Sequence, residues 1–311
     1  MQFQKRRFSF ISKYDQVRIH GICLIPDKPI AVLQMVHGMN EYKERYLSLM
    51  EKMAEKGYIT VMHDNRGHGE SVMDKKDIGF CYASMEKGYV EDIYNVTVYL
   101  RRCYPELPLV LYGHSMGSLG TRAYLQKYDD AIDGLILSGS PCYFPFVPVG
   151  SVVVRILAKM LGMRYRLETA QAWMLKFFDF RFRHEGREFA WLSADPDIGE
   201  RFKKDPRCIF TYTLNGFTTL LHLETLTYKA GGYQMKNPDL PILFLSGKDD
   251  PCYGNEGLWK KMLTRMRSLG YTNVKQHRYK GMRHEIHNEI GKEMVVEDMD
   301  RFMRKIVNEV R

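Results

Sequence analysis

Leu109 to Gly117, LVLYGHSMG, is the stretch that decides the fold. Leu109, Val110 and Leu111 make a short apolar strand ending in Tyr112, and Gly113-His114-Ser115-Met116-Gly117 follows at once. Leu119, Ala123 and Tyr124 then recur at helical spacing. A G-x-S-x-G set between a buried strand and a helix is the sharp elbow that lifts a nucleophilic serine above a sheet edge. The glycines serve the turn, which needs strained backbone angles and draws helix against strand, leaving no room for flanking side chains. The helix N-terminus beneath the serine favours negative charge developing beside it. The competing reading is a glycine-rich strand-to-helix loop with an incidental serine, and the two flanking elements weigh against it.

Outward from this point, strands alternate with helices. Residues 6–13 and 17–25 read as a hairpin turning at Lys13-Tyr14-Asp15-Gln16. Ala31–Val36 is a largely apolar strand running into His37-Gly38-Met39-Asn40-Glu41, and a helix follows with Tyr46, Leu49, Met50 and Met53 on one face. Strand Ile59–His63 opens into Asp64-Asn65-Arg66-Gly67-His68-Gly69-Glu70-Ser71, and residues 85–103 give an amphipathic helix that stops before Pro105. Leu135–Ser138 follows the elbow's helix. From about Pro141 to Tyr233 the alternation gives way to Phe, Tyr, Trp, Arg and short turns. It resumes with strand Ile242–Ser246, a helix carrying Leu258, Trp259, Met262 and Met266, strand Val274–Tyr279, and a C-terminal helix with Met299, Phe302, Met303 and Ile306. This order predicts an α/β fold, a mostly parallel sheet covered on both faces. Its core comes in two parts, 1–140 and 236–311, interrupted by a helical insertion over 141–235.

The 311 residues, 45% of them hydrophobic, are enough for one large core with an insertion. The net charge of +9 comes from Lys and Arg scattered among Asp and Glu, without the basic stripe that nucleic-acid binding needs. Cys23, Cys81, Cys103, Cys142, Cys208 and Cys252 have neither C-x-x-C nor metal spacing, so free thiols in a reducing compartment are expected. Ser9, Ser12 and Lys13 break the apolar run that a signal peptide would need after Lys5-Arg6-Arg7. No window reaches the roughly 18 apolar residues of a membrane span, and the expected location is the cytoplasm.

A nucleophilic serine needs a base and a group to orient that base. Strand Ile242–Ser246 leads into Gly247-Lys248-Asp249-Asp250-Pro251, and strand Val274–Tyr279 into Lys280-Gly281-Met282-Arg283-His284. Two aspartates and a histidine therefore sit past the same sheet edge as Ser115, in the order Ser, acid, His. The residues leave open whether Asp249 or Asp250 orients the imidazole, the other capping the turn. They also leave open whether His284 or His287 faces the serine. His37 and His68 read as shaping loops. The oxyanion hole is expected from the backbone N–H groups of Met116, which follows the serine, and Met39, in the loop after the first core strand.

Five stretches together resemble the lysophospholipase and monoacylglycerol lipase branch of the α/β-hydrolases: HGMNEYKERY (37–46), DNRGHGES (64–71), GHSMGS (113–118), GKDDP (247–251) and GMRHEIHNE (281–289). The resemblance implies an α/β-hydrolase fold with an eight-stranded sheet and a helical cap inserted after the strand at 135–138. It selects Asp250 and His284 as the partners of Ser115, and carries the oxyanion donors to Met39 and Met116. It also implies that Glu41, Arg45 and Tyr46 support the oxyanion loop and that Arg66 buttresses its neighbour. Within the insertion it extends only to position and to Asp195-Pro196 and Asp205-Pro206.

The implied chemistry is two-step acyl transfer to water, with a small-molecule acyl ester as substrate and no metal or organic cofactor. The insertion's aromatics, among them Phe144, Phe177, Phe178 and Trp191, are expected mostly to pack within the cap, with an apolar tunnel over Ser115 for an acyl chain as their functional role. Residues 151–161 read as one helix, with Val152, Val153, Ile156, Leu157 and Met160 as its apolar stripe and Arg155 and Lys159 opposite. Such a helix can lie on a lipid surface, although 13 Lys/Arg against 9 Asp/Glu over 141–235 is only slightly more basic than the whole chain. Two alternatives keep the same framework. A prolyl-aminopeptidase-like enzyme would bind a substrate amine through Glu185 and Glu188, and a catalytically silent relative would only bind.

Overall fold

The computed structural model describes residues 3–229 and 231–310. Eight strands form one sheet: β1 (Phe3–Ile11), β2 (Arg18–Pro26), β3 (Ala31–Val36), β4 (Tyr58–His63), β5 (Leu109–His114), β6 (Gly134–Ser138), β7 (Ile242–Gly247) and β8 (Val274–Tyr279). Their order across the sheet is β1-β2-β4-β3-β5-β6-β7-β8. β1 and β2 pair antiparallel, β2 meets β4 antiparallel, and every later pairing is parallel. The hairpin's register extends β1 to Phe3 and starts β2 at Arg18, shifting the expected strands by one to three residues.

Strands β3 to β7 are buried along their whole length because helices cover both faces. Alternation along β5 divides the core: Leu109 and Leu111 face one apolar cluster, Val110 and Tyr112 the other. Helices α1 (Leu47–Glu55), α2 (Met85–Cys103) and α3 (Met116–Tyr128) stand in the first part of the chain. α1 buries Leu49, Met50 and Met53, and α2 buries Tyr89, Ile93, Val96 and Leu100, the faces their periodicity predicts.

Between β6 and β7 come α4 (Val147–Leu161), α5 (Glu168–Asp179), α6 (Pro196–Lys204) and α7 (Leu214–Tyr228). α8 (Glu256–Ser268) and α9 (Glu293–Val310) complete the chain. α4 begins four residues before the expected start, with Pro148 in its first turn. Its seated face is Val147, Val154 and Ala158, while Val152, Val153, Ile156 and Met160 point outward. The small residues let α4 lie close to its neighbours, which turns the bulky stripe away. At 100° per residue, Arg155 and Lys159 then flank that outward stripe rather than oppose it.

Candidate active site

The elbow is built as a tight turn. Ser115 has φ +53° and ψ −121°, a conformation costly for a residue with a side chain. A Cβ on Gly117 would lie 2.3 Å from the carbonyl oxygen of Val36 and 2.6 Å from that of His37, so only glycine lets α3 start against β3. Ser115 is partly accessible in a run of buried neighbours. Ser118 Oγ donates to the Ser115 carbonyl at 2.6 Å and ties the turn from within the helix.

Beyond β7 and β8 the chain brings Asp250 to His284. His284 Nδ1 is 3.0 Å from each carboxylate oxygen of Asp250, and both side chains are buried. Burial pulls the imidazole pKa down, but the charge and hydrogen bond of Asp250 outweigh it, and the pKa ends above its ordinary value. Asp250 also caps the short turn Pro251–Tyr253 by accepting from the Cys252 amide at 2.8 Å. Asp249 does not cap it. It is half-exposed and pairs with Arg181 at 2.7 Å.

His287 lies behind this pair. Its ring stacks on Tyr46 at 4.5 Å, neither nitrogen has a partner among the described residues, and burial lowers its pKa to about 4. His37 and His68 hold loops: His37 Nε2 accepts from the Asn65 amide at 2.9 Å, and His68 Nε2 meets the Tyr212 hydroxyl at 2.5 Å.

The loop carrying Met39 approaches the elbow so closely that a Cβ on Gly38 would sit 3.0 Å from Ser115 Cβ. Glu41 fixes the loop: one carboxylate oxygen accepts from the Gly38 amide at 2.8 Å and from the Tyr46 hydroxyl at 2.8 Å. Arg45 bridges Glu41 at 3.2 Å and Glu285 at 2.5 Å. Burial and the charge of Glu285 raise the Glu41 pKa; in Glu285 burial is outweighed by Arg45 and the pKa falls. Glu41, Glu285 and His287 have donor atoms within 4.8 Å of one another, as a metal site would, but the Arg45 guanidinium already occupies the space between the two carboxylates as their shared cation. Arg66 braces the neighbouring loop, bonding Asp92 at 2.7 Å and Asp15 at 2.6 Å. The amides of Met39 and Met116 engage no acceptor among the described residues.

Ser115, Met39, Met116 and His284 line one cavity of about 290 Å³, roofed by Phe178, Trp191 and Phe202. Asp250 and His284 are paired, while Ser115 Oγ has no hydrogen-bond partner among the described residues.

Several contributors were not legible in the sequence. The histidine loop is clamped to residues 190–194: the His284 and Glu285 amides donate to the carbonyls of Trp191 (3.3 Å) and Leu192 (2.7 Å). Glu289 accepts from the Arg283 amide at 2.7 Å and the Ala194 amide at 3.0 Å. The Trp191 ring lies 4.8 Å from that of His284. Asn40 Nδ2 donates to the carbonyls of Cys208 and Phe210 at 2.9 and 2.6 Å, joining the loop that carries Met39 to the insertion. The DP motif at Asp205 was the one available signal, since Asp205 accepts from the Tyr42 hydroxyl at 2.5 Å.

A mostly parallel eight-stranded sheet, with a strained serine at a strand-to-helix elbow and a His–Asp pair past later strands, defines an α/β-hydrolase. Residues 27–291 match the family model described as serine aminopeptidase, S33. The monoacylglycerol lipase of Mycolicibacterium smegmatis is 25% identical over 292 residues, 91% of each chain. Phospholipase YtpA of Bacillus subtilis is 35% identical over 118 residues, 37% of this chain and 42% of that protein, so the match spans under half of that relative. A carboxyl esterase from Bacillus coagulans, solved in complex with glycerol, superposes with a TM-score of 0.89 at 26% identity, over 98% of this chain and 100% of that one. The chain belongs to the serine aminopeptidase S33 family, in its monoacylglycerol lipase-like branch, and is a hydrolase.

Proposed function

We propose that this protein cleaves carboxylic esters through Ser115, His284 and Asp250, as a monoacylglycerol lipase or lysophospholipase. The observation that carries the reading is the 3.0 Å His284–Asp250 pairing on the wall of the cavity that also holds the strained Ser115. Asp250 keeps the Nδ1 proton on His284, leaving Nε2 to take the proton of Ser115 as its oxygen attacks the ester carbonyl. The amides of Met39 and Met116 hold the oxyanion, each worth about 3 kcal/mol of barrier. His284 returns the proton to the leaving alcohol, and water releases the acyl group by the same route.

Residues 141–235 act in this reading as a cap over the core, formed by 1–140 and 236–311. The small-molecule ester enters beneath it, into the cavity edged by Phe177 and Phe178. Docking of the cap on a lipid surface belongs to the same proposal. Phe146, Met160 and Trp173 are 80%, 74% and 71% exposed, and basic side chains flank the stripe of α4. No helix among the described residues is long and apolar enough to cross a membrane. A cytoplasmic location is part of the proposal and is supported by six free cysteines.

The peptidase alternative needs acidic cap side chains free to hold an amine. Glu185 is taken by Arg283 and Arg187, and Glu188 by Lys203. Labelling with a fluorophosphonate probe, followed by a p-nitrophenyl acyl ester against a proline arylamide, tests the reading. Ester turnover lost in Ser115→Ala is the expected result. Preferred cleavage of the arylamide overturns the ester assignment, and an unlabelled, inactive protein restores the silent relative.

A further inference from the structure

The cavity over Ser115 is apolar almost throughout, yet its wall includes a carboxyl group that the acyl-transfer steps do not use. Glu224, on α7, is 6% exposed. One of its oxygens accepts from the Phe144 amide at 3.1 Å, and the other has no partner among the described residues. Burial lifts its pKa to about 7, against the pull of the Phe144 N–H and of Arg122, so near neutrality it can accept or donate a hydrogen bond. Arg122 itself is fully buried, stacked 4.6 Å over the Tyr228 ring, with Nε and Nη2 unpartnered among the described residues. Arg122 does not line the cavity, whereas the unpartnered Glu224 oxygen does, and in surroundings this apolar a ligand hydroxyl is the group that satisfies it.

The cavity has two walls with different partners. His284 must face the leaving oxygen, so the alcohol belongs at the wall that His284 shares with Trp191. The other wall, Leu119 of α3, Val147 of α4 and Leu220, Leu221 and Glu224 of α7, is left to the acyl chain. A plain hydrocarbon chain packs well on the leucines and valine and leaves the second oxygen of Glu224 unpaired. A chain carrying a hydroxyl satisfies both.

Resting on the ester-hydrolase reading, we propose that Glu224 is a specificity-determining residue that accepts a hydrogen bond from a hydroxyl on the substrate's acyl chain, so that hydroxylated acyl esters are the preferred substrate class.

The test is a panel of p-nitrophenyl esters of hexanoic, octanoic and decanoic acids, each plain and ω-hydroxylated, with methyl and glyceryl octanoate added. The wild-type protein should favour at least one hydroxylated chain in kcat/KM by about tenfold, the effect of one hydrogen bond to a buried polar group. Glu224→Leu should remove that preference, raising turnover of the plain ester and lowering that of the hydroxylated one, whereas Glu224→Gln, which keeps an acceptor, should retain most of it. Fluorophosphonate labelling of Ser115 in both variants checks that the site is still assembled. If the Glu224→Leu variant fails to fold, a hydroxyl preference that is lost in Glu224→Gln, or absent from the wild type, overturns the proposal. Hydrolysis of plain esters with an unmoved ratio overturns the subsite alone. A changed glyceryl-to-methyl ratio in place of the acyl one overturns the acyl assignment. Hydrolysis of no ester overturns the subsite together with the ester reading.

Discussion

The sheet and the cap obey opposite rules. Along β3 to β7 each apolar residue is buried, and Leu109, Val110, Leu111 and Tyr112 alternate between two packed faces. In the cap, α4 seats Val147, Val154 and Ala158 and turns Val152, Val153, Ile156 and Met160 to the outside. An apolar run in the sheet therefore means core, whereas the same composition on α4 makes a surface, although other cap residues such as Phe182, Leu192 and Phe202 are buried. The difference follows from covering: the sheet has helices on both faces, while α4 is seated on one side only.

The largest effect should come from the core. Ser115→Ala is expected to lower kcat by about 10⁶-fold, the scale seen when a nucleophile is removed from such a relay, with stability nearly unchanged. A loss under a hundredfold would mean that the serine is not the nucleophile. Asp250→Asn should cost about 10⁴-fold and leave a second signature. Because Asp250 raises the His284 pKa, its loss should move the acid limb of kcat/KM to lower pH. An acid limb that stays in place would detach Asp250 from the histidine.

Gly117→Ala tests the elbow's sterics. Its Cβ would stand 2.3 Å from a backbone oxygen that cannot swing away, so a thermal melt should show several degrees of loss along with activity. An unchanged melting temperature would show that the turn relaxes.

On the cap side, Phe144→Asp, beside Glu224 on the acyl wall, should lower kcat/KM for palmitoyl esters by about a hundredfold and for acetyl esters by far less, since a charge facing an acyl chain is poorly solvated. Equal losses would remove the tunnel. The smallest effect belongs to the outer stripe. Ile156→Glu should weaken binding to anionic lipid vesicles several-fold without touching hydrolysis of a dissolved acetyl ester. Unchanged vesicle binding would make the exposed stripe idle.

Stability should depend on pH through buried histidines. His63, His68 and His287 are each held at about 4 by burial, against 6.5 for the free side chain. Between those values the unfolded chain binds more protons, so stability falls as pH drops, by roughly 1.4 kcal/mol per pH unit for each proton taken up. His284 acts oppositely: its raised pKa adds stability that is complete below 6.5 and is lost as pH climbs through its folded value. Urea unfolding across this range would expose the sum, and a flat profile would refute it.

Local chemistry was readable from residues in a row. The elbow, the loops after β3, β7 and β8, and the buried faces of α1 and α2 each depend on neighbours in the chain, so spacing announces them. Asp250 and His284 were placed past the same edge as Ser115, but the choice over Asp249 and His287 rested on family resemblance. In the structure Asp249 turns out to Arg181, and His287 stacks on Tyr46.

By itself, then, the order of amino acids determined a mostly parallel α/β core, a serine elbow, and an acid and a histidine at one rim, because periodicity and turn chemistry act over a few residues. Only the tertiary structure decided which way α4 faces, that residues 190–194 clamp the histidine loop, and that Glu224 stands in the wall of the cavity. Those outcomes depend on contacts between segments far apart in the chain, where shape and desolvation choose among side chains that look alike in one dimension.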